Sequence, residues 1–166
     1  LKELLPYVDA FNIDLKAFNN KFYQKLCRGD LESVLKTISL VAPEKHLEIT
    51  TLLISGENDS LKEVEKIAQF IASLNKDIPL HLSRYFPNYQ LKNPPTPTKF
   101  IKESLEIAQN YLNHIYLGNM SCVDNSTYCP QCKRLIIKRE NFFRQVEIEL
   151  SNNICPQCGY RLNLTL

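Results

Sequence analysis

Along residues 1–118, short apolar runs alternate with longer segments in which apolar positions recur every third or fourth residue. The short runs, 10–15, 47–54, 79–83 and 114–117, read as strands. The longer segments predict helices over 19–26 with 31–41, then 61–74, then 98–112. In the second of these, Leu61, Val64, Ile67, Ala68 and Ile71 fall at 3.6-residue spacing. Asp59 or Ser60 can cap that helix, and Pro97 or Thr98 opens the next. Leu1, Leu4, Leu5 and Val8 carry a helical spacing at the very start. With no methionine at position 1, this opening is expected to belong to a fragment or a processed product.

Strands alternating with helices of this length predict parallel βαβ units, hence an α/β fold. Four strands cannot close an eight-stranded barrel, so the choice lies between an open sheet and part of a larger one. Residues 93–97, Asn-Pro-Pro-Thr-Pro, make a stiff connector before the last helix. Gly118 ends the last strand, and the composition then turns polar. The expected domains are therefore 1–118 and 119–166.

Side chains on a strand alternate between its faces. Phe11, Ile13 and Leu15 share one face of the first strand, and Asn12, Asp14 and Lys16 the other. The second strand sets Ile49, Thr51 and Leu53 against Glu48, Thr50 and Leu52. The third sets Leu80 and Leu82 against His81 and Ser83, with Arg84 just beyond. In a β/α barrel the apolar face lies under the helices and the polar one lines the lumen, where it would suit a small polar ligand. The alternative is that these groups sit at strand ends in solvent.

Hydrophobic residues make up 44% of the 166 and charged ones 23%, the balance of a globular protein. No apolar run reaches the ~18 residues of a membrane span, and no signal-peptide pattern opens the chain. A net charge of +2 points to neither a membrane nor a nucleic-acid partner. The expected location is the cytoplasm, where clustered thiols are metal ligands rather than disulfides.

Six cysteines are present: Cys27, Cys122, Cys129, Cys132, Cys155 and Cys158. Cys129-Pro-Gln-Cys132 and Cys155-Pro-Gln-Cys158 are separated by 22 residues. Two such knuckles can close a tetrahedral zinc site with no open position. Competing readings are a rubredoxin-like iron site, a pair of disulfides, or redox-active thiols. Gly159 follows the second knuckle, where a left-handed backbone is wanted, and Lys133 holds the equivalent place in the first. Residues 134–138 and 143–150 look like a hairpin, with Val146, Ile148 and Leu150 alternating with Glu147 and Glu149. A module this small has little core, so the metal is expected to supply much of its folding free energy. Zinc ribbons often bind nucleic acid, but residues 119–166 carry six Lys/Arg against four Asp/Glu, and four thiolates on a zinc cancel that excess. A solvated basic face is the better reading. Cys27 and Cys122 read as ordinary thiols.

Two stretches carry a family resemblance: Asp9-Ala-Phe-Asn-Ile-Asp14-Leu-Lys16 and Glu48-Ile-Thr-Thr-Leu-Leu-Ile-Ser-Gly56-Glu-Asn-Asp59. Both resemble later barrel strands of radical S-adenosylmethionine enzymes related to pyruvate formate-lyase activating enzyme. With the segment from His81 through Arg84 to Pro87, the Tyr116–Asn119 turn and the paired C-x-x-C module, the chain most resembles the radical member of the AmmeMemoRadiSam system. The resemblance implies a partial β/α (TIM-like) barrel followed by a small zinc ribbon. It also implies reductive cleavage of S-adenosylmethionine by a [4Fe–4S] cluster, an unidentified protein or small-molecule substrate, and partners from that system.

Asp14 and Lys16 match the D-x-K positions that hold the cosubstrate's polar groups or a nearby cation. Thr50 matches a position facing the same cosubstrate, where the activating enzymes have arginine. His81, Ser83 and Arg84 fall in the strand region near the adenosyl group. The family's C-x3-C-x2-C cluster motif and its glycine-rich segment are absent here. This chain alone is therefore expected to be inactive. A module that uses the ribbon to bind or scaffold a protein or nucleic-acid partner is the alternative.

Overall fold

The computed structural model describes residues 1–121, 123–139, 146–148, 150 and 152–164. Cys122, residues 143–145 and Glu149 of the expected hairpin lie outside them. The chain divides into two compact units, Leu1–Met120 and Ser121–Leu166.

The first unit is built on strands β1 (Ala10–Asp14), β2 (His46–Leu53), β3 (Leu80–Arg84) and β4 (Ile115–Gly118). All neighbours are parallel, in the order β1-β2-β3-β4. Sequential order with right-handed crossovers puts every connecting helix on one side of the sheet. The helices are α1 (Asn20–Phe22), α2 (Leu31–Val41), α3 (Leu61–Leu74) and α4 (Thr98–Gln109).

Burial follows the expected alternation. Along β2, Leu47, Ile49, Thr51 and Leu53 are buried, while His46, Glu48, Thr50 and Leu52 are half-buried. Under the buried face pack Val64, Ile67, Ala68 and Ile71 of α3 and Ile101 and Ala108 of α4. Each fully buried Leu or Ile there contributes roughly 1.5–3 kcal/mol by leaving water.

Caps mark the helix starts. The Asp30 carboxylate accepts from Ser33 N at 2.7 Å, and Ser60 Oγ accepts from Glu63 N at 3.2 Å. Both satisfy amides that the first helical turn leaves open. Glu63 stands where a capping box would turn its carboxylate back to Ser60, but that group accepts from Phe18 N at 2.9 Å. Burial pushes the Glu63 carboxyl up despite this bond.

Two local expectations need correction. The opening segment is a single 3-10 turn, Leu5–Tyr7, rather than a helix. Pro6 supplies no N–H, no side chain caps the turn, and Leu1, Leu4 and Tyr7 are exposed. The helix expected over 19–26 is regular only through Phe22. It then widens into a π turn, Tyr23–Cys27, and stops at Arg28 in the left-handed region (φ 51°).

The second unit is a three-stranded antiparallel sheet of β5 (Thr127–Tyr128), β6 (Leu135–Arg139) and β7 (Val146–Ile148). Its core is Ile136, Ile137 and Leu162 packed with Cys129 and Cys155. Ile148, placed on a half-buried face by alternation, is 47% exposed.

Candidate metal centre and a polar sheet face

In the second unit, each knuckle is folded by the same pair of backbone bonds. Cys129 N donates to Arg134 O at 2.8 Å and Lys133 N to Cys129 O at 3.0 Å. Cys155 N donates to Tyr160 O at 2.8 Å and Gly159 N to Cys155 O at 2.9 Å. Both turns need a residue at positive φ, supplied by Lys133 (61°) and Gly159 (74°). A Cβ costs more in that region than in right-handed backbone.

The knuckles bring all four Sγ atoms within 4.8 Å of one another. Cys129 and Cys158 are 3.6 Å apart, as are Cys132 and Cys155. Zinc–sulfur bonds of ~2.3 Å at tetrahedral angles place sulfurs about 3.7–3.8 Å apart, so the set fits such an ion. Burial works against the Cys155 thiolate, but amides of Cys158 and Gln157 and the thiols of Cys132 and Cys158 outweigh it, bringing the group to about 6. At Cys158 the Tyr160 amide favours the thiolate, yet burial and three neighbouring sulfurs push it up to about 12. Four thiolates this close repel one another, and a cation at their centre removes the conflict.

In the first unit, the half-buried side of the sheet carries the polar residues. Register sets Asp14, Thr50, His81 and Tyr116 side by side in one row, with Asn12 and Glu48 paired below it. Thr50 Oγ1 donates to Asn12 Oδ1 at 3.0 Å. His81 Nε2 lies 2.9 Å from Glu48 Oε2, and His46 Nε2 lies 3.6 Å from the other carboxylate oxygen. Bonding to His81 leads the effects that hold the Glu48 carboxyl below its ordinary value. The His81 and Tyr116 rings are 5.4 Å apart. Beyond the end of β1, Lys16 Nζ is 2.9 Å from Asp14 Oδ2, both side chains more than a third exposed.

The remaining two expected residues separate. Ser83 lies farther along the same face, beside Leu52 and Gly118. Arg84 has the parity of Leu80 and Leu82 and pairs with buried Leu53, so it does not share the face of His81 and Ser83. Its Nε donates to Thr96 O at 2.7 Å, and its guanidinium stands 4.6 Å over the Phe86 ring. There it helps line an open cavity of about 560 Å³ with Leu52, Phe86, Pro87 and Asn119, at the C-terminal ends of β2 and β3.

The chain is similar to a domain of an activating enzyme. That domain, of pyruvate-formate lyase-activating enzyme from Bacteroides vulgatus, superposes with a TM-score of 0.62 at 26% identity. The match covers 71% of this chain and 72% of that one. At the level of sequence, uncharacterized protein MJ0808 of Methanocaldococcus jannaschii is 36% identical over 169 residues, covering 96% of this chain. The chain spans about half the length of that relative (49%). No family model matches it.

Pattern reading passed over a set of buried polar residues behind the site. Asn58 is 2% exposed and Thr96 fully buried. Asn58 Oδ1 accepts from Ile54 N at 2.6 Å, and its Nδ2 donates to Lys16 O at 2.6 Å and Leu52 O at 2.9 Å. Thr96 Oγ1 donates to Leu53 O and accepts from Tyr85 N. An asparagine in a Gly-Glu-Asn-Asp turn directly after a strand was the available signal for the first. Among the described residues, no helix is long and apolar enough to cross a membrane.

Proposed function

We propose that this chain is the later part of a radical S-adenosylmethionine enzyme related to pyruvate formate-lyase activating enzyme, with a structural zinc ribbon following its barrel segment in the sequence. The observation that carries this reading is the likeness to an activating-enzyme domain over 71% of the chain. In its support, Asp14 and Lys16 stand at the C-terminal end of a parallel strand, where β/α folds place their ligands.

The cosubstrate, S-adenosylmethionine, would lie along the C-terminal strand ends. Asp14, Lys16 and Thr50 would meet its polar groups, and His81, Ser83 and Arg84 would border the adenosyl end. Bound there and cleaved to methionine by one electron from a reduced cluster, it would supply a 5′-deoxyadenosyl radical for hydrogen abstraction from a protein or small-molecule substrate. The [4Fe–4S] cluster does not fit the residues present. It needs three thiolates and an open iron, whereas the four ribbon cysteines close on one another. Cys27 and Cys122 are the remaining two. The cluster ligands belong to a C-x3-C-x2-C motif elsewhere in the full-length protein, which acts in the cytoplasm.

The test is anaerobic cluster reconstitution of the full-length protein, followed by reduction with S-adenosylmethionine present. Formation of 5′-deoxyadenosine is expected from the full-length protein and not from the 166-residue chain. A full-length protein without a C-x3-C-x2-C motif, or product from the short chain, overturns the reading.

A further inference from the structure

Lys16 sits two residues past the end of β1, where the chain leaves the ladder and turns away from the sheet. Peptide groups at such a point must find partners outside the strand pairing. Both of those that Lys16 contributes are taken up by buried side chains from separate elements. Its N–H donates to the Tyr23 hydroxyl at 3.0 Å. Its carbonyl accepts from Asn58 Nδ2 at 2.6 Å. Tyr23 is 3% exposed and Asn58 2%.

The residue before it is tied as firmly. Leu15 N donates to Thr50 O at 3.0 Å, and Thr51 Oγ1 donates to Leu15 O at 2.8 Å. The Lys16 side chain is free by comparison, 37% exposed and paired with Asp14 across 2.9 Å. A long, flexible ammonium therefore springs from a backbone anchored on both sides. Tyr23 belongs to the π turn and packs in a cluster with Ala17, Phe22, Ile54 and Tyr85. Burial, with the Cys27 and Asp14 charges adding to it, raises the Tyr23 hydroxyl pKa although backbone amides pull it down. The hydroxyl stays neutral at physiological pH. The Asn58 amide is consumed by three backbone partners and has no role of its own at the surface.

We propose that Tyr23 and Asn58 are positioning residues for Lys16, clamping its two peptide groups so that its ammonium meets the cosubstrate from a fixed origin. The inference rests on the reading of Lys16 as a cosubstrate contact. Loss of either clamp leaves the ammonium in place but spreads its positions, so binding weakens through Lys16 and not beside it.

A double-mutant cycle in the reconstituted full-length protein tests this, with S-adenosylmethionine affinity measured by calorimetry. Lys16→Met should weaken binding. Tyr23→Phe should weaken it about three- to tenfold, the range expected for one lost hydrogen bond, and Asn58→Leu, which removes three, by at least as much. In the Lys16→Met background, neither should weaken it further. Equal losses in both backgrounds, or none with Lys16 present, overturn the clamp and leave the cosubstrate reading standing. No loss from Lys16→Met overturns that reading and the clamp with it. Amide hydrogen exchange on the 166-residue chain supplies a measurement independent of cofactor. The Lys16 amide should be protected in the unaltered chain, and in Tyr23→Phe it should lose protection while β1 keeps its own. A Lys16 amide that exchanges like an open peptide overturns the clamp even if the variants do not fold.

Discussion

The two units of this chain solve the same problem by different means. The first buries a row of aliphatic side chains between a parallel sheet and its helices. The second has three short strands, a handful of buried apolar residues and four convergent sulfurs. Where apolar area is plentiful, polar groups are left over for the open face of the sheet. Where it is scarce, the polar groups themselves must hold the fold. The first unit is therefore expected to tolerate loss of a polar side chain from its sheet face, and the second to depend on each of its four sulfurs.

The widest separation should come from the metal. Structural zinc sites in small modules are worth about 10–16 kcal/mol near neutral pH, more than a ribbon's core can replace. A strong chelator, or Cys129→Ser, should abolish amide protection in 121–166 and leave that of 1–120 unchanged. Hydrogen exchange read by mass spectrometry distinguishes the two. Protection surviving in the metal-free ribbon would mean that its apolar core suffices.

A smaller effect is expected at Lys133. Its φ of 61° places a side chain where its counterpart in the other knuckle is Gly159. Lys133→Gly should stabilise the metal-loaded ribbon by about 1 kcal/mol, seen as a higher Tm, because glycine carries no Cβ penalty there. A lower Tm would show that the Lys133 side chain has contacts outweighing the strain.

The smallest effect is confined to the first unit and to acid. The Glu48 carboxyl is held below its ordinary 4.5, chiefly by bonding to His81. A depressed carboxyl adds stability that is complete above 4.5 and lost as pH falls through the folded value. The pair is partly exposed, so solvent screening keeps the contribution small. Urea midpoints of the unaltered chain should therefore exceed those of Glu48→Gln at pH 6, and the gap should shrink by pH 3.5. A gap that stays constant would remove the Glu48–His81 bond from the account.

Much of the frame was legible in the sequence because it is periodic. The alternation in 47–54 reappears residue by residue in the burial of β2, and the 3.6 spacing in α3 names its buried side. The cysteine knuckles were legible for a different reason, since a fixed short spacing has few geometric outcomes. What escaped was aperiodic. Tyr23, Asn58 and Thr96 act through side-chain bonds to backbone groups outside their own elements, and no spacing announces them. The strand's two-residue repeat likewise puts Arg84, just beyond Ser83, on the side of Leu82.

Gly118 illustrates a different kind of constraint. A Cβ built there would fall on Ser83 Oγ, far inside contact distance, because the serine already fills the space its neighbour leaves. The two positions thus share one allotment of volume across β3 and β4. A side chain at 118 therefore requires the Ser83 hydroxyl to swing aside or a smaller residue at 83, so the order of substitutions, and not only their sum, bears on which sequences this sheet can reach.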